Sequence, residues 1–167
     1  MDIIFNRRSI RKYKDKPVEK EKIDKLLKAA MQAPSAANQQ PWEFIVVQDK
    51  EKLKELSNTS PYSKMVADSG VTFVLLSRKD NLPVPGCVPQ DMGAAAENLL
   101  LEAVNLELGA VWLGVGSIKE RMDYVCKVFN LPGNIEPFAL IAVGYPDGQE
   151  NKFVDRFDEK RVHYEKF

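Results

Sequence analysis

Residues 33–42 hold the residue types best suited to binding a flat heteroaromatic ligand. Small residues, two prolines, a tryptophan and three side-chain amides (Asn38, Gln39 and Gln40) share these ten positions. A plain surface loop favours Gly, Asp and charged residues instead. Side-chain amides can satisfy the carbonyl and ring-nitrogen edge of such a ligand, and small residues let the backbone approach it. An ordinary helix-to-strand connection with Trp42 in the core is an equally good interpretation of this stretch alone.

A basic cluster near the N-terminus could clamp a phosphate. Arg7, Arg8, Arg11 and Lys12 stand within six residues, and Ser9 lies among them. Arginine makes bidentate, charge-assisted hydrogen bonds to phosphate, and the serine hydroxyl adds a donor. The apolar neighbours on either side would anchor the arginines by packing. A solvated charged face is the alternative, since that is the usual role of a run of charges.

A glycine turn, Gly114-Val115-Gly116, ends an apolar strand and precedes a predicted helix. Backbone N–H groups in such a turn can meet a ligand just ahead of a helix N-terminus. The turn has neither the GxGxxG spacing nor a P-loop lysine, so no dinucleotide or Walker fingerprint is present. A tight strand-to-helix connection is the alternative, and the turn alone is a weak signal.

The chain offers no convincing catalytic side chain. No pair of carboxylates is isolated in an apolar setting that would separate their pKa values. His163 is the sole histidine, and Cys87 and Cys126 fit neither a CxxC motif nor a zinc site. If the protein is an enzyme, we therefore expect a cofactor to carry the chemistry and no metal to be bound.

Composition predicts one ordinary domain covering residues 1–167. The chain has 24 Lys+Arg and 24 Asp+Glu, so its net charge is zero. This balance removes any global argument for binding nucleic acid or an acidic membrane. No apolar run approaches the ~18 residues of a membrane span, and the N-terminus lacks the apolar region of a signal peptide. We therefore expect a cytoplasmic protein.

Hydrophobic periodicity predicts alternating helices and strands. Apolar runs predict strands over residues 44–47, 71–76, 110–116 and 137–144, each buried on both faces. Helical spacing predicts helices over residues 3–8, 20–33, 50–57 and 91–108, with Gly109 as the last C-cap, and over the segment that follows a capping box at Ser117 and Glu120. These elements predict a sheet between two helix layers.

The C-terminal tail predicts a contact with another surface. The last 21 residues are mostly polar, but Val162, Tyr164 and Phe167 are β-formers that partly alternate with polar residues. A segment of this kind is typical of a strand that needs another surface to join.

Together these motifs resemble the FMN-dependent nitroreductase family over essentially the whole chain. The resemblance rests on Arg-Arg-Ser-Ile-Arg, Pro-Ser-Ala-Ala-Asn-Gln-Gln-Pro-Trp, Gly-Ala-Val-Trp-Leu-Gly and the ending Arg-Phe-Asp…Arg-Val-His-Tyr-Glu-Lys-Phe, which occur in the family's order. It implies an α+β fold, a three-layer α/β/α sandwich with a mostly antiparallel central sheet. It also implies a domain-swapped homodimer with FMN at the subunit interface and exchanged C-terminal segments.

The resemblance also implies which residues bind FMN. The phosphate ligands by matching position are Arg7, Arg8, Ser9 and Arg11, with either Arg156 or Arg161 from the tail. The ring contacts, commonly from the other subunit, are Pro34, Ser35, Ala36, Asn38 and Gln40, while Leu113, Gly114, Val115 and Gly116 approach the N5 edge.

The activity implied is that of an FMN oxidoreductase. NADH or NADPH would pass hydride to flavin N5 in a ping-pong cycle and be replaced by a nitroaromatic, a quinone or a similar acceptor. Reductive dehalogenation or flavin fragmentation on the same fold, and a flavin-binding protein without turnover, remain alternatives. The choice between NADH, NADPH and an external protein donor stays open. The segment between Leu76 and Asp91 is short, so the usual lid over the substrate side is expected to be reduced or rebuilt.

Overall fold

Four antiparallel strands form the centre of the protein, which a computed structural model describes over residues 2–167. The strands are β1 (Trp42–Val47), β2 (Val71–Arg78), β3 (Gly109–Gly114) and β4 (Ile135–Gly144). They lie in the order β1-β2-β4-β3, and each neighbouring pair is antiparallel. The predicted antiparallel sheet is confirmed.

Helices cover both faces of this sheet. They are α1 (Ile3–Asn6), α2 (Lys20–Met31), α3 (Lys50–Leu56), α4 (Val88–Asn105) and α5 (Lys119–Phe129). Phe73 and Leu75 of β2 pack in the core beneath α2 and α4, whereas Val74 and Leu76 pack in the core beneath α3 and α5. This alternation follows from the two-residue period of a strand and confirms the three-layer arrangement. No helix within residues 2–167 combines the length and apolar character needed to cross a membrane.

Strand β1 is an edge strand and is only partly buried on each of its two faces. Strands β2 and β4 are buried along almost their whole length. In β1, Glu43 and Val46 are exposed. The prediction that every strand is buried on both faces therefore holds only in part for β1. Phe44 and Val47 pack in the core on opposite faces, but β1 lies at the edge of the sheet and no strand among residues 2–167 covers its outer side.

The segment after α1 runs along the outer edge of β3. Ser9 forms a parallel bridge with Ala110, and the Ile10 N–H donates to the Ala110 carbonyl at 2.9 Å. A Cβ on Gly109 would lie 2.5 Å from Ile10 Cγ2, so this close approach requires glycine. Gly109 was predicted as the C-cap of α4; the C-cap is Leu106, and Gly109 begins β3.

Tyr13 fastens the same segment to the sheet. Its buried hydroxyl lies 2.6 Å from the Ile10 carbonyl and 3.1 Å from the Ala142 carbonyl of β4. Burial raises the pKa of Tyr13, which Arg11 only partly offsets. The hydroxyl therefore stays protonated and able to donate, which fixes the basic segment against the core.

Helix α4 begins at Val88 rather than at the predicted Asp91. Pro89 lies in its first turn, where a missing N–H loses no intrahelical hydrogen bond. A proline assigned to a loop by sequence is thus part of the helix, and Asp91 lies inside the first turn instead of at its start. The same loop holds a short 3₁₀ turn at Pro85–Cys87.

The C-terminal tail lies on the surface of this single chain. Residues 152–167 are all exposed, and their regular structure is one 3₁₀ turn, Glu159–Arg161. Phe157 and Tyr164 are 78% and 77% exposed. The strand predicted at the end of the tail does not form within the chain, and its pairing with a second subunit stays a prediction.

Candidate functional site

The amide loop, defined as residues 34–40, has an unusual backbone. Ala37, Asn38 and Gln40 have φ angles of 48°, 53° and 45°. Residues with a Cβ rarely adopt this left-handed region, and each such residue is held there only by its surroundings. The loop connects α2 to β1 and includes a 3₁₀ turn at Ala36–Asn38. Three left-handed residues within four positions indicate that the shape of the loop is fixed by contacts from outside it.

Two buried side chains supply some of those contacts. Asp91 and Gln39 are each 4% exposed. Asp91 Oδ1 accepts from the Ala36 N–H at 2.9 Å, and Asp91 Oδ2 accepts from Gln39 Nε2 at 2.6 Å. Gln39 also donates to the Val84 carbonyl and accepts from the Val84 N–H, both at 3.0 Å. Gln39 and Asp91 therefore connect the loop to α4 and to the short loop before it.

The other two amides of the loop face solvent. Asn38 and Gln40 are exposed, and Gln40 Nε2 donates to Asn38 Oδ1 at 3.2 Å. Pro34 is exposed, whereas Ser35 and Ala36 are half-buried, with Ser35 Oγ accepting from the Gln40 N–H at 3.0 Å. The loop thus turns one amide into the protein and presents two at the surface. Sequence alone could not tell these amides apart.

The basic cluster leaves α1 as an extended segment. The prediction that α1 continues to about Arg8 is wrong, because the helix ends at Asn6 and Arg7 has a ψ of 129°. Arg7 Nε lies 3.3 Å from Glu97 Oε1 on α4. Arg11 is exposed. Since the segment is extended, the arginines do not follow helical spacing.

Arg8 carries the least satisfied polar group of the site. Its Nε and Nη2 are buried, and neither has a hydrogen-bond partner among residues 2–167. Its Nη1 donates to the Arg7 carbonyl. Desolvation, and then the charges of Arg156 and Arg7, lower the pKa of Arg8. A guanidinium in this setting is completed by an anion that accepts hydrogen bonds, because an unpaired buried charge is unfavourable.

A cavity of about 350 Å³ between α1 and residues 153–157 brings Arg7, Arg8 and Arg156 together. The Phe5 and Phe153 rings, with centroids 6.1 Å apart, join the helix to the tail beside it. Asp155 also lines this cavity, so three cations stand against one carboxylate and the excess positive charge favours an anion.

The two tail arginines are therefore placed differently. Arg156 lines the cavity with Arg7 and Arg8, whereas Arg161 Nε lies 3.1 Å from Asp158 Oδ2 on the exposed tail. Ser9 lines a neighbouring cavity of about 490 Å³ that Arg8 also reaches. Of the two tail arginines, Arg156 is the one that lies with the N-terminal arginines in the described residues 2–167.

Arg11 belongs to a different cavity, of about 470 Å³, which Leu113 and Gly114 also line. Arg121, on the first turn of α5, donates from Nη1 to the Gly114 carbonyl at 2.8 Å and lines the same cavity. The structure thus brings a predicted phosphate ligand next to the end of β3. The sequence analysis missed Arg121. Its position seven residues after Gly114, on the helix predicted to follow the glycine turn, is the signal that could have indicated it.

Two N–H groups of the glycine turn are already hydrogen-bonded to a neighbouring strand. The Val115 and Gly116 N–H groups both donate to the Phe138 carbonyl, at 3.2 and 2.7 Å. Val115 is buried, and Gly116 lines a cavity of about 320 Å³ beside Phe138. The predicted capping box is wrong: Ser117 has a φ of 69°, the N-cap is Ile118, and no side chain caps α5.

The amide loop stays apart from the arginines within one chain. None of the cavities described above, all formed within residues 2–167, is lined by a residue of the loop. The structure therefore groups the predicted site residues into an arginine part, a β3 part and a separate loop. A contribution of the loop to the site of a second subunit stays a prediction.

Comparison with known proteins shows which sequences and structures this chain is similar to. A model of the Nitroreductase family matches residues 4–68 and 57–145. A structure from Clostridium acetobutylicum, provisionally named an NADH oxidase, has a TM-score of 0.98 and 58% identity, and the match covers 99% of this chain and 100% of that chain. A Methanothermobacter thermautotrophicus protein, provisionally named an NADH dehydrogenase/NAD(P)H nitroreductase, is 42% identical over 100% of this chain and 87% of its own length. An FMN-dependent nitroreductase from Clostridium difficile has a TM-score of 0.91 and 35% identity, over 100% of both chains.

Proposed function

The chain belongs to the nitroreductase family, and on that premise we propose that it is an FMN-dependent oxidoreductase that uses NAD(P)H to reduce a nitroaromatic, a quinone or a similar small acceptor. Relatives named NAD(P)H nitroreductase and FMN-dependent nitroreductase support the cofactor and the reductant. When bound, FMN supplies the electron transfer between the reduced nicotinamide and the acceptor. The protein supplies binding, orientation and electrostatics. The observation that carries the proposal is the Arg8 guanidinium, whose two buried donors lack acceptors among residues 2–167.

The donor set fits the phosphate of FMN. That phosphate carries close to two negative charges at neutral pH, with a second pKa of about 6. Arg8 needs acceptors, Arg7 and Arg156 line the same cavity, and Ser9 lies beside it. We assign these residues, together with Arg11, to the phosphate end. Arg161 remains a candidate only if the tail moves in an assembled dimer.

The surface amides fit the ring end of FMN. Asn38 and Gln40 present donors and acceptors at the surface, and Pro34, Ser35 and Ala36 leave room for close approach. We propose that this loop contacts the flavin bound by the other subunit. The residues at the end of β3 would contact the flavin bound by their own subunit; they are Leu113, Gly114, Val115 and Gly116. Because the Val115 and Gly116 N–H groups already donate to Phe138, the turn supports the ring by shape and through its remaining backbone atoms.

A homodimer explains two surfaces that the single chain leaves uncovered. β1 has a free outer edge, and the tail carries exposed apolar side chains at Phe157, Tyr164 and Phe167. A free strand edge can accept an extended segment by backbone hydrogen bonding. We propose that the tail of one subunit packs on the other, which would complete the site across the interface.

The test of this function is spectroscopic. We expect the purified protein to bind FMN and to show flavin absorbance that bleaches when NADH or NADPH is added without oxygen. Addition of a quinone or a nitroaromatic should restore the absorbance in a stopped-flow experiment. A flavin-loaded protein that neither nicotinamide reduces would exclude NAD(P)H as the reductant and favour an external protein donor. A protein that binds no FMN would contradict the proposal as a whole.

Substitution of Asn38 tests the ring contact. Asn38→Ala should weaken FMN binding or shift its reduction potential, because a polar ring edge loses a partner worth about 1–3 kcal/mol. Asn134→Ala is the matched control, since Asn134 is also exposed and also uses its amide in one side-chain hydrogen bond, to Asp80 at 3.0 Å. The measurements are FMN titration of apo-protein and redox potentiometry. If Asn38→Ala and the control behave alike, the amide does not reach the flavin.

A further inference from the structure

We infer that Asp91 and Arg78 are positioning residues that hold the amide loop in the shape that its exposed amides need to meet the flavin. This inference rests on the proposed function. Neither side chain carries chemistry, and neither was singled out by the sequence motifs. Together with Gln39 they form what we call the loop clamp, which acts on the flavin through Asn38 and Gln40.

Arg78 secures the far end of the loop. It is the last residue of β2, and its backbone N–H donates to the Pro41 carbonyl at 2.9 Å. Its Nη1 donates to the Gln40 carbonyl at 2.7 Å, and its Nη2 donates to the Gln39 carbonyl. One rigid guanidinium therefore fixes two consecutive carbonyl groups, which orients the peptides on both sides of the left-handed Gln40.

Asp91 secures the near end, and the geometry requires a carboxylate there. One oxygen accepts from the Ala36 N–H and the other from the Gln39 amide. An asparagine at this position has one acceptor oxygen and one NH₂ group. Whichever way that amide turns, its NH₂ group faces another donor, so one contact becomes repulsive.

The clamp is expected to affect FMN binding because it keeps three residues of the amide loop in strained backbone conformations. Ala37, Asn38 and Gln40 occupy left-handed backbone conformations that each residue would leave if it were free to relax. Relaxation would change the direction of the two exposed amides relative to the body of the protein. The clamp is thus expected to control how the loop meets FMN, while the bulk of the core stays unchanged.

The first test replaces Asp91 and then makes the contact between positions 91 and 39 complementary again. Asp91→Asn should raise the FMN dissociation constant at least tenfold, about 1.4 kcal/mol, and shift the reduction potential of bound FMN. Gln39→Glu alone should do the same, because it places two carboxylates against each other. In the double variant, the amide introduced at position 91 can accept from the Ala36 N–H and donate to the carboxylate introduced at position 39. That carboxylate can still accept from the Val84 N–H but cannot donate to the Val84 carbonyl, so the recovery is partial. The double variant should therefore bind FMN more tightly than either single variant.

A control on the same helix separates positioning from general stability. Asn98→Ala removes a hydrogen bond from Asn98 Nδ2 to the Ala29 carbonyl, 3.1 Å long, without touching the loop. It should lower the melting temperature but leave the potential of bound FMN unchanged. Arg78→Lys is the second variant, and it should shift the potential because lysine cannot fix both carbonyls. It keeps the inference testable if Asp91→Asn fails to fold.

The outcomes distinguish this inference from the proposed function. If the wild-type protein binds FMN and all clamp variants keep its dissociation constant and potential, the clamp has no role toward the cofactor and the inference is wrong. If the clamp variants change only the melting temperature, as Asn98→Ala does, the inference is also wrong. If the wild-type protein binds no FMN, the proposed function itself fails.

Discussion

Removal of residues 149–167 is expected to abolish both dimerisation and FMN binding. The tail exposes large apolar side chains in the single chain, among them Phe157 and Tyr164 at 78% and 77%. Burying one such side chain contributes about 1.5–3 kcal/mol, so the loss of several at an interface would remove most of the association energy. The tail also carries Arg156, which lines the cavity of Arg7 and Arg8.

A second truncation separates the two roles of the tail. Gln149 Oε1 accepts from the Arg11 N–H at 2.7 Å, and Asn151 Oδ1 accepts from the Arg8 N–H at 3.2 Å, so the first part of the tail holds the basic segment of its own chain. Removal of residues 158–167 keeps these contacts and Arg156. It should still yield monomers with weak FMN binding if the last residues cross to a second subunit.

Analytical ultracentrifugation and FMN titration measure both effects. The untruncated chain of residues 1–167 is expected to sediment as a dimer at micromolar concentration. A protein lacking residues 149–167 that stays soluble, monomeric and loaded with FMN would contradict the exchanged dimer. Dimers that persist after removal of residues 158–167 alone would place the interface elsewhere.

Elements built from local patterns were predictable from the sequence. Three apolar residues of α2, Ile23, Leu26 and Ala30, recur at helical spacing and are buried, whereas Met31 at the end of the same helix is 45% exposed. The continuous apolar runs in β2 and β4 predicted strands covered on both faces, and both are central in the sheet. Because each of these patterns lies within a single element, neighbours along the chain contain the needed information.

Errors arose where distant residues decide the local structure. The Ser117 capping box was wrong because the Val115 and Gly116 N–H groups bond to Phe138 on another strand, and the chain then enters α5 through a left-handed Ser117. Gly109 was misassigned because the residue that leaves no room for a side chain at this position is Ile10, which is distant in sequence. Local motifs carry no information about such contacts.

The candidate site shows the same division. The sequence motifs indicated the amide loop and the arginines, but not that Gln39 points inward while Asn38 and Gln40 face solvent. That difference depends on Asp91, 52 positions beyond Gln39. Asp91 and Arg78 had no signal of their own, since a lone acidic residue in a first helical turn and a lone arginine at the end of a strand are ordinary.

Loss of the Arg8 or Arg11 side chain is expected to weaken FMN binding roughly ten- to hundredfold while leaving riboflavin binding unchanged. Each arginine would lose charge-assisted hydrogen bonds to the phosphate, and riboflavin has no phosphate. Arg8 has buried donors without partners among residues 2–167, and Arg11 is an exposed cation of the same extended segment. Turnover per bound flavin should change little, because the phosphate is remote from the reacting ring.

Titration of apo-protein Arg8→Ala and Arg11→Ala with both ligands gives the answer, with Lys14→Ala as the matched control. Lys14 is an exposed cation of the same segment, and its backbone N–H, which donates to the Tyr145 carbonyl at 2.9 Å, is kept in the variant. The control should bind both ligands as the wild type does. Equal weakening of FMN and riboflavin by Arg8→Ala would mean that Arg8 holds the fold or the dimer. Desolvation, and then the charges of Arg156 and Arg7, lower the pKa of Arg8, and its Nε and Nη2 are buried without partners among residues 2–167. Its removal without a phosphate present should relieve both effects, so apo-protein Arg8→Ala is expected to unfold at a temperature no lower than that of the wild-type apo-protein.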